Sequence, residues 1–217
     1  MRPWYRIIES GIRRCFSEPL RFSIRVLPRS EHDAIRYSMY KRISQVLAER
    51  PDGEVLSISG STYLAGLIGS GKCRIREADF PEHNILDLKF DDDKFDYVVS
   101  DQVLEHIEGN PFQAMHESYR VLKPGGVAVH TTCLLVGIHR YPGDYWRFTP
   151  DGLRILSREF SEILDVGGWG NRYLWAMSWL GLLHSERVPN SSWHPYHRIA
   201  IHNEEDYPIS TWIIARK

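Results

Sequence analysis

Histidine, aspartate and aromatic residues cluster between residues 139 and 150, where the sequence reads HRYPGDYWRFTP. His139 and Asp144 are candidates for a general base, and His130, in the stretch before this segment, is a third. An imidazole suits this role because its ordinary pKa of about 6.5 lies close to neutral pH. Four further side chains can stack on or hydrogen-bond a polar ligand: Tyr141, Tyr145, Trp146 and Arg147. The segment is therefore predicted to close a substrate pocket.

A purely structural interpretation of the same segment stays open. Asp144 and Arg147 carry opposite charges three residues apart and can pair with each other. Trp146 and Phe148 would then pack against a sheet. The histidines are likewise compatible with structural or surface positions. The two interpretations differ in whether these side chains reach a cavity.

The elements around this segment alternate between strands and helices. The strand candidates are residues 54–59, 73–79, 95–100, 127–132, 160–166 and 211–215. The helix candidates include residues 31–50, 62–68, 111–122 and 149–159. This alternation predicts a mostly parallel sheet with helices on both faces. Ligands of such sheets bind beyond the carboxyl ends of the strands, so the residues that follow each strand are the candidate site.

Two motifs carry a family resemblance. Residues 95–106 read FDYVVSDQVLEH, and residues 119–126 read YRVLKPGG. In this order and spacing they resemble the class I S-adenosylmethionine (SAM)-dependent methyltransferase superfamily, in its small-molecule type. The likeness extends over residues 50–166 and the final strand. It implies a Rossmann-like, mostly parallel seven-stranded sheet with helices on both faces, an antiparallel last strand, SAM as cofactor and methyltransferase activity.

The resemblance also assigns cofactor-binding residues. The positions that match the family's SAM site are Gly60, Ser61, Asp79, Asn84, Ile85, Asp101 and Gln102. Among them, Asp79 is expected to meet the ribose, and Asn84 with Ile85 the adenine. The first turn departs from the family pattern, because Ser57 stands where an acid is common and no second glycine follows Gly60. Asn84 also replaces an acid, so a degenerate loop that binds no cofactor stays open.

Two segments lie outside the resemblance. Residues 1–50 are predicted to form a basic N-terminal helical arm, and residues 51–217 the methyltransferase domain with an insertion at 167–208. The arm is expected either to pack on the domain or to contact an anionic partner, which is an anionic acceptor or, as a peripheral membrane contact, anionic lipid. The insertion is expected to form a lid or a dimer face, and no oligomeric state is predicted. It contains His194 and His197, but Pro195 between them disfavours metal ligation, so no metal site is predicted.

Composition excludes several other classes of protein. A formal net charge of -1 argues against a globally basic nucleic-acid binder. The three cysteines are odd in number and far apart, which favours a reducing, cytoplasmic compartment over a disulfide framework. The N-terminus lacks the apolar stretch of a signal peptide, and the longest apolar run falls short of the roughly 20 residues that span a bilayer.

Taken together, the sequence predicts SAM-dependent methyl transfer to a small polar acceptor, such as a sugar or glycolipid hydroxyl. The partner would then be a small molecule or a glycan. The first alternative is a catalytically inactive methyltransferase-like scaffold or binding protein. The second is a nicotinamide-dependent oxidoreductase, which is disfavoured because the chain has neither a complete G-x-G-x-x-G loop nor a Y-x-x-x-K pair.

Overall fold

The computed structural model describes residues 22–24, 26–140, 142–179 and 186–217. Along the chain the elements are β1 (Arg29–Asp33), α1 (Ala34–Leu47), β2 (Glu54–Ile58), α2 (Thr62–Ala65), β3 (Arg74–Ala78), β4 (Phe95–Asp101), a 3₁₀ turn (Leu104–His106), α3 (Pro111–Val121), β5 (Leu122–Cys133), α4 (Pro150–Leu156), β6 (Glu162–Trp169), α5 (Arg172–Trp179), β7 (Arg187–Pro189), α6 (Pro195–Ile201) and β8 (Ser210–Arg216). The described residues form two compact units. The smaller lies within Met1–Ser38 and Trp169–Ile209, and the larger within Met39–Gly168 and Ser210–Lys217.

The larger unit is built on a six-stranded sheet in the order β3–β2–β4–β5–β8–β6. β2 pairs in parallel with β3 and β4, and β4 pairs in parallel with β5. β8 runs antiparallel to β5. β4 and β5 are almost wholly buried, as expected of apolar strands with helices over both faces. The predicted α/β class with a mostly parallel sheet and an antiparallel last strand is confirmed.

The expected number of seven strands is wrong for the described residues, where β3 forms one edge of the sheet. Only residues 79–94 separate β3 from β4, and they form turns and a single bridge between Asn84 and Asp87. A further parallel strand beyond β3 would need crossover connections of roughly a dozen residues or more. The segment is too short for such an excursion, so the sheet formed by the described residues has six strands.

Apolar rows cross the sheet and form its core. Leu56, Val98, Ala128 and Ala215 lie side by side on β2, β4, β5 and β8, and all four are fully buried. Two positions further along β4 and β5, the same face carries Ser100 and His130 instead. Polar side chains therefore enter the core just below the carboxyl ends of the central strands.

Side-chain caps fix where α3 and α4 begin. The Asn110 side chain accepts a hydrogen bond from the Phe112 amide, with Pro111 at the first helical position of α3. Thr149 caps α4 in the same way, through the amide of Gly152. Both patterns are typical helix starts, and they place the beginnings of these helices where the sequence predicts them.

The smaller unit contains a two-stranded antiparallel sheet of β1 and β7. The helix predicted over residues 31–50 is instead β1 followed by α1, because the Asp33 carboxylate accepts the amides of Ile35 and Arg36 and starts the helix there. His194 caps α6 through its Nδ1, and His197 contacts the carbonyl of Pro189, so both histidines have structural roles.

Several predictions fall on residues outside those described. They include most of the basic arm, Tyr141 and the end of the apolar helix predicted over residues 173–183. The domain boundaries predicted from the sequence stay predictions. In the part of the chain that the structure covers, no helix combines the length and apolar character that a membrane span requires.

Candidate active site

A cavity of about 770 Å³ lies at the carboxyl ends of β2 and β4 in the larger unit. One wall is formed by Ser59 and Gln102, which directly follow these strands. Residues 80 and 83–86 form a second wall, and residues 103, 106–108, 142 and 145 form a third. This is the edge of a parallel sheet at which ligands bind.

The strand ends beside the cavity have unusual backbone conformations. Ser59, Gly60 and Gln102 all have positive φ angles, of 51°, 77° and 57°. Such angles are uncommon for residues other than glycine and cluster at ligand sites. A Cβ atom placed on Gly60 would meet nothing within 4 Å, so this face of the turn is open. The turn after β2 therefore leaves the Gly60 backbone uncovered on this side, and its predicted contact with the cofactor stays a prediction.

Asp79 lies next to this turn. The Gly60 amide donates a hydrogen bond of 2.9 Å to Asp79 Oδ1, and the Asp79 side chain is otherwise exposed. The spacing of β2 and β3 thus brings the glycine turn and the acid together, as expected for a ribose site. Neither residue belongs to the lining of the cavity itself, and both lie beside it.

Ser61 and Asp101 support the strand ends from within. The Ser61 hydroxyl donates to the Ile58 carbonyl and accepts the Asp101 amide at 2.7 Å. The Asp101 carboxylate accepts hydrogen bonds from the hydroxyls of Tyr40 and Thr131. Ser61 is buried and committed to these bonds, so the structure gives it a framework role and not the ligand contact expected from the sequence.

The wall after β3 is largely apolar. Ile85 is buried, Leu86 is half-buried and Phe80 is exposed, and all three line the cavity. Asn84 Oδ1 accepts the Leu86 amide at 2.9 Å, which fixes this wall, while the amide nitrogen of Asn84 makes no hydrogen bond to the described residues. The combination suits a flat heterocycle held between apolar side chains with a polar group at its edge.

The third wall is a loop fastened to the 3₁₀ turn. The amides of Tyr145 and Trp146 both donate to the Glu105 carbonyl, and Trp146 Nε1 donates to the Ile107 carbonyl at 2.9 Å. Tyr145 lines the cavity and is half exposed. Trp146 and Arg147 do not line it, because the first is tied to the 3₁₀ turn and the second to Asp144.

Asp144 is a structural anion and not the general base expected from the sequence. Its side chain is 1% exposed and ion-paired with Arg147, and it also accepts the His139 amide at 2.8 Å. The hydrogen bonds from Arg147 hold the pKa of the Asp144 carboxyl far below its usual range. A carboxylate so stabilised is a poor proton acceptor near neutral pH.

His130 is also removed from the candidate bases by its position. It is fully buried in β5, and its Nδ1 lies 2.7 Å from the Ser100 hydroxyl. Burial lowers the pKa of His130 to about 4. It does not line the cavity, so a ligand there cannot reach it.

Two other histidines meet at the third wall, which is called the histidine wall below. His106 lines the cavity, and the ring of His139 lies 5.0 Å from the His106 ring, edge to face. His106 Nδ1 contacts the carbonyl of Gly143, and His139 Nδ1 contacts that of Gly137 at 3.2 Å. A carbonyl only accepts hydrogen bonds, so each neutral ring carries its proton on Nδ1 and leaves Nε2 basic.

Glu105 lies beside this pair and was not singled out from the sequence. It is fully buried, and its Oε2 accepts the Thr132 hydroxyl at 2.9 Å. Its Oε1 has no hydrogen-bond partner among the described residues, and burial raises the pKa of the carboxyl. The motif VLEH contains both Glu105 and His106, but the resemblance assigned cofactor binding to Asp101 and Gln102 at the end of the preceding strand.

The residues present fit SAM. The open glycine turn with Asp79 offers backbone and a carboxylate to a ribose, and the apolar wall at Ile85 offers a slot for an adenine. Gln102 and Ser59 provide polar groups between this slot and the histidine wall. Of the positions predicted for the cofactor, Asn84, Ile85 and Gln102 line the cavity, and Gly60 and Asp79 adjoin it.

Part of this chain is similar to known methyltransferases. A family model described as a methyltransferase domain matches residues 41–130. A demethylmenaquinone methyltransferase of Listeria welshimeri is 34% identical over 125 residues, covering 54% of this chain and 46% of the relative. The chain thus spans about half the length of the curated relatives it matches.

Solved structures show the same fold. A SAM-dependent methyltransferase of Archaeoglobus fulgidus superposes with a TM-score of 0.54 at 14% identity, covering 82% of this chain and 93% of that one. The 1,6-didemethyltoxoflavin-N1-methyltransferase of Burkholderia thailandensis, solved with its acceptor and S-adenosylhomocysteine, gives 0.53 at 15% identity, covering 82% and 77%. Residues 41–130 are thus similar to a methyltransferase domain, and the larger unit has the fold of these solved methyltransferases, with its cavity at the strand ends.

Proposed function

We propose that this chain transfers a methyl group from SAM to a small polar molecule bound in the same cavity. One observation carries the proposal. A single cavity joins the strand-end residues Ser59 and Gln102 to His106 and Tyr145 on the opposite wall. A donor held at the first wall and an acceptor held at the third would share one cavity, and such positioning supplies much of the catalysis of a displacement reaction.

At the donor end, the chain's own residues bind and orient. The Asp79 carboxylate and the backbone at Gly60 would hold the ribose hydroxyls, and Ile85 with Asn84 would hold the adenine. SAM supplies a methyl group on a positively charged sulfur, which makes it transferable to a nucleophile. Asp101, fixed by Tyr40 and Thr131, keeps the ends of β4 and β5 in place around this region.

At the acceptor end, we place the activation of the nucleophile on the imidazole pair of His106 and His139. Both rings have their Nδ1 atoms bonded to carbonyls, so the Nε2 atoms are the ones available to an acceptor's proton. His106 contacts the cavity directly, and His139 stands behind it. His139 thus stays a candidate from the sequence prediction, joined by His106.

The residues of the third wall indicate a broad class of acceptor. The third wall mixes Tyr145, Glu108, His106 and Pro142, which suits a small molecule with an aromatic or cyclic body and a polar nucleophile. A sugar or glycolipid hydroxyl is one such class and stays a hypothesis. A quinone precursor, suggested by the name of the Listeria relative, is a second.

The test is methyl transfer from radiolabelled SAM to a panel of sugars, glycolipids and ring phenols. Substitution His106→Ala should lower turnover about 10²- to 10⁴-fold while SAM affinity stays within twofold. His116→Ala is the matched control, since His116 is exposed and paired with Glu159 away from the cavity. Equal turnover by the His106→Ala variant and the wild type on an accepted substrate would refute the role of His106 as a base.

A further inference from the structure

A second site of different chemistry lies at the histidine wall. Glu105, His106 and His139 each offer one ligand-type atom, and these three atoms lie within 4.8 Å of one another. Two imidazoles and one carboxylate form a donor set typical of sites for divalent transition metals, whereas magnesium and calcium prefer oxygen alone. We propose that these three residues bind a divalent transition-metal ion such as Zn²⁺, Fe²⁺ or Co²⁺.

The unpartnered oxygen of Glu105 is the observation that points to a ligand here. The residue is 0% exposed, and its Oε2 is satisfied by Thr132 while its Oε1 has no partner in the described chain. A buried carboxylate oxygen left without a hydrogen bond is costly. A cation bound between Glu105 and the two imidazoles removes that cost.

The surroundings of the three residues are those of a prepared site. Metal-binding histidines commonly donate their second ring N–H to a carbonyl or carboxylate, which orients the ring and fixes its tautomer. His106 Nδ1 has the Gly143 carbonyl, and His139 Nδ1 has the Gly137 carbonyl with Asp144 Oδ2 3.4 Å away. Thr132 orients Glu105 in the same manner. Each proposed ligand is therefore held by a second group, and both Nε2 atoms are left over.

Three protein ligands leave coordination positions open, as in catalytic and not structural metal sites. Because His106 also lines the cavity, the ion would lie at the histidine wall. An acceptor with an oxygen donor can then occupy an open position. With the ion bound, the Nε2 atoms of His106 and His139 are ligands and not bases, so the ion would replace the imidazole pair in activating the nucleophile. This inference rests on the proposed function only for the acceptor, because binding of the ion can be tested alone and without SAM.

The sequence did not predict this site because its ligands are divided between two segments with no metal-binding spacing. Glu105 and His106 belong to the turn after β4, and His139 follows β5. The parallel pairing of β4 with β5 brings the two segments to the same edge of the sheet.

The experiment is titration of the chelator-treated full chain with Co²⁺, followed by visible absorption of the bound ion and by calorimetry. One equivalent should bind, with d–d bands in the visible region. Glu105→Gln, which keeps the size of the side chain, and His139→Asn, on a half-exposed loop residue, should each weaken binding at least tenfold. His116→Asn and His202→Asn, which remove exposed histidines paired with acids elsewhere, should bind as the wild type does.

Folding is checked in the same samples by thermal unfolding, and SAM titration reports separately on the donor site. No binding by the wild type, or equal binding by folded His139→Asn, overturns the proposal. If Glu105→Gln does not fold, His139→Asn decides the result. Loss of Co²⁺ binding by the Glu105 or His139 variant, with SAM binding intact, supports the metal site. A wild-type protein that binds Co²⁺ but not SAM contradicts the proposed function only.

Discussion

Arg147 binds the carboxylate of Asp144 through both of its terminal nitrogens, and this carboxylate is 1% exposed. Asp144 also accepts the backbone amide of His139. Asp144 therefore ties the start of the loop 139–147 to its end, through the His139 amide and the Arg147 side chain. Because a two-point pair of this kind has a fixed geometry, the loop is held before any acceptor arrives.

Substitution Asp144→Asn should loosen this loop. It removes a charge from a buried pair and weakens the bond to the His139 amide, so we expect a loss of about 1 to 3 kcal/mol in the free energy of unfolding. The acceptor's KM should rise roughly tenfold, while SAM affinity stays unchanged. Chemical denaturation and steady-state kinetics measure both. The control Glu162→Gln breaks an exposed pair with Arg216 and should cost under about 1 kcal/mol.

Substitution Asp79→Ala should weaken SAM binding about tenfold or more. The exposed carboxylate beside Gly60 is the group proposed to hold the ribose hydroxyls, and a charge-assisted hydrogen bond contributes about 1.5 to 3 kcal/mol. Calorimetry on the folded variant measures the change. Glu77→Ala is the matched control, because Glu77 is an exposed acid on β3, two residues before Asp79, and it is not the acid that accepts the Gly60 amide. Unchanged affinity in Asp79→Ala would remove Asp79 from the site.

The sequence predicted the arrangement of strands and the neighbourhood of Gly60 and Asp79 because both depend on chain order. Adjacent parallel strands bring their carboxyl ends together whatever the detailed packing. The sequence could not predict that His130 is buried in the core, because the alternation of residues along β5 does not show which face of the sheet carries the cavity. The role of Asp144 also depended on a partner, Arg147, whose distance only the folded loop determines.

Burial of His130 should make the stability of the larger unit depend on pH. The folded state lowers the pKa of His130 from about 6.5 to about 4, so the unfolded chain binds the extra proton first as pH falls. The stabilisation present above about pH 6.5 should be lost progressively between about pH 6.5 and 4, by up to about 3 kcal/mol. Denaturant unfolding across this range measures it.

His130→Gln tests that dependence, because it retains a polar side chain at the Ser100 contact without an ionisable ring. The variant is expected to be less stable at pH 7 but to lose less stability on acidification. His116→Gln, at an exposed position, should follow the wild-type curve. A His130→Gln curve parallel to that of the wild type would show that another group causes the dependence.

Substitution Gly143→Ala should displace Tyr145 from the cavity wall. A Cβ atom at this position would lie 2.2 Å from the Tyr145 ring, far inside contact distance. The ring is half exposed and can swing away, so we expect little loss of stability but an acceptor KM raised several-fold. Gly137→Ala, where an added Cβ meets nothing within 4 Å, is the control in the same segment. An unchanged KM in Gly143→Ala would show that Tyr145 does not contact the acceptor.

Calorimetric titration of the purified chain with SAM tests the central claim most directly. The account predicts saturable binding of one SAM per chain, competition by S-adenosylhomocysteine, and weakening by Asp79→Ala but not by Glu77→Ala. The degenerate first turn, with Ser57 and a single glycine, is compatible with this result because the backbone at Gly60 remains open. Absence of binding by the folded protein at millimolar SAM would contradict the account and leave a methyltransferase fold without its cofactor.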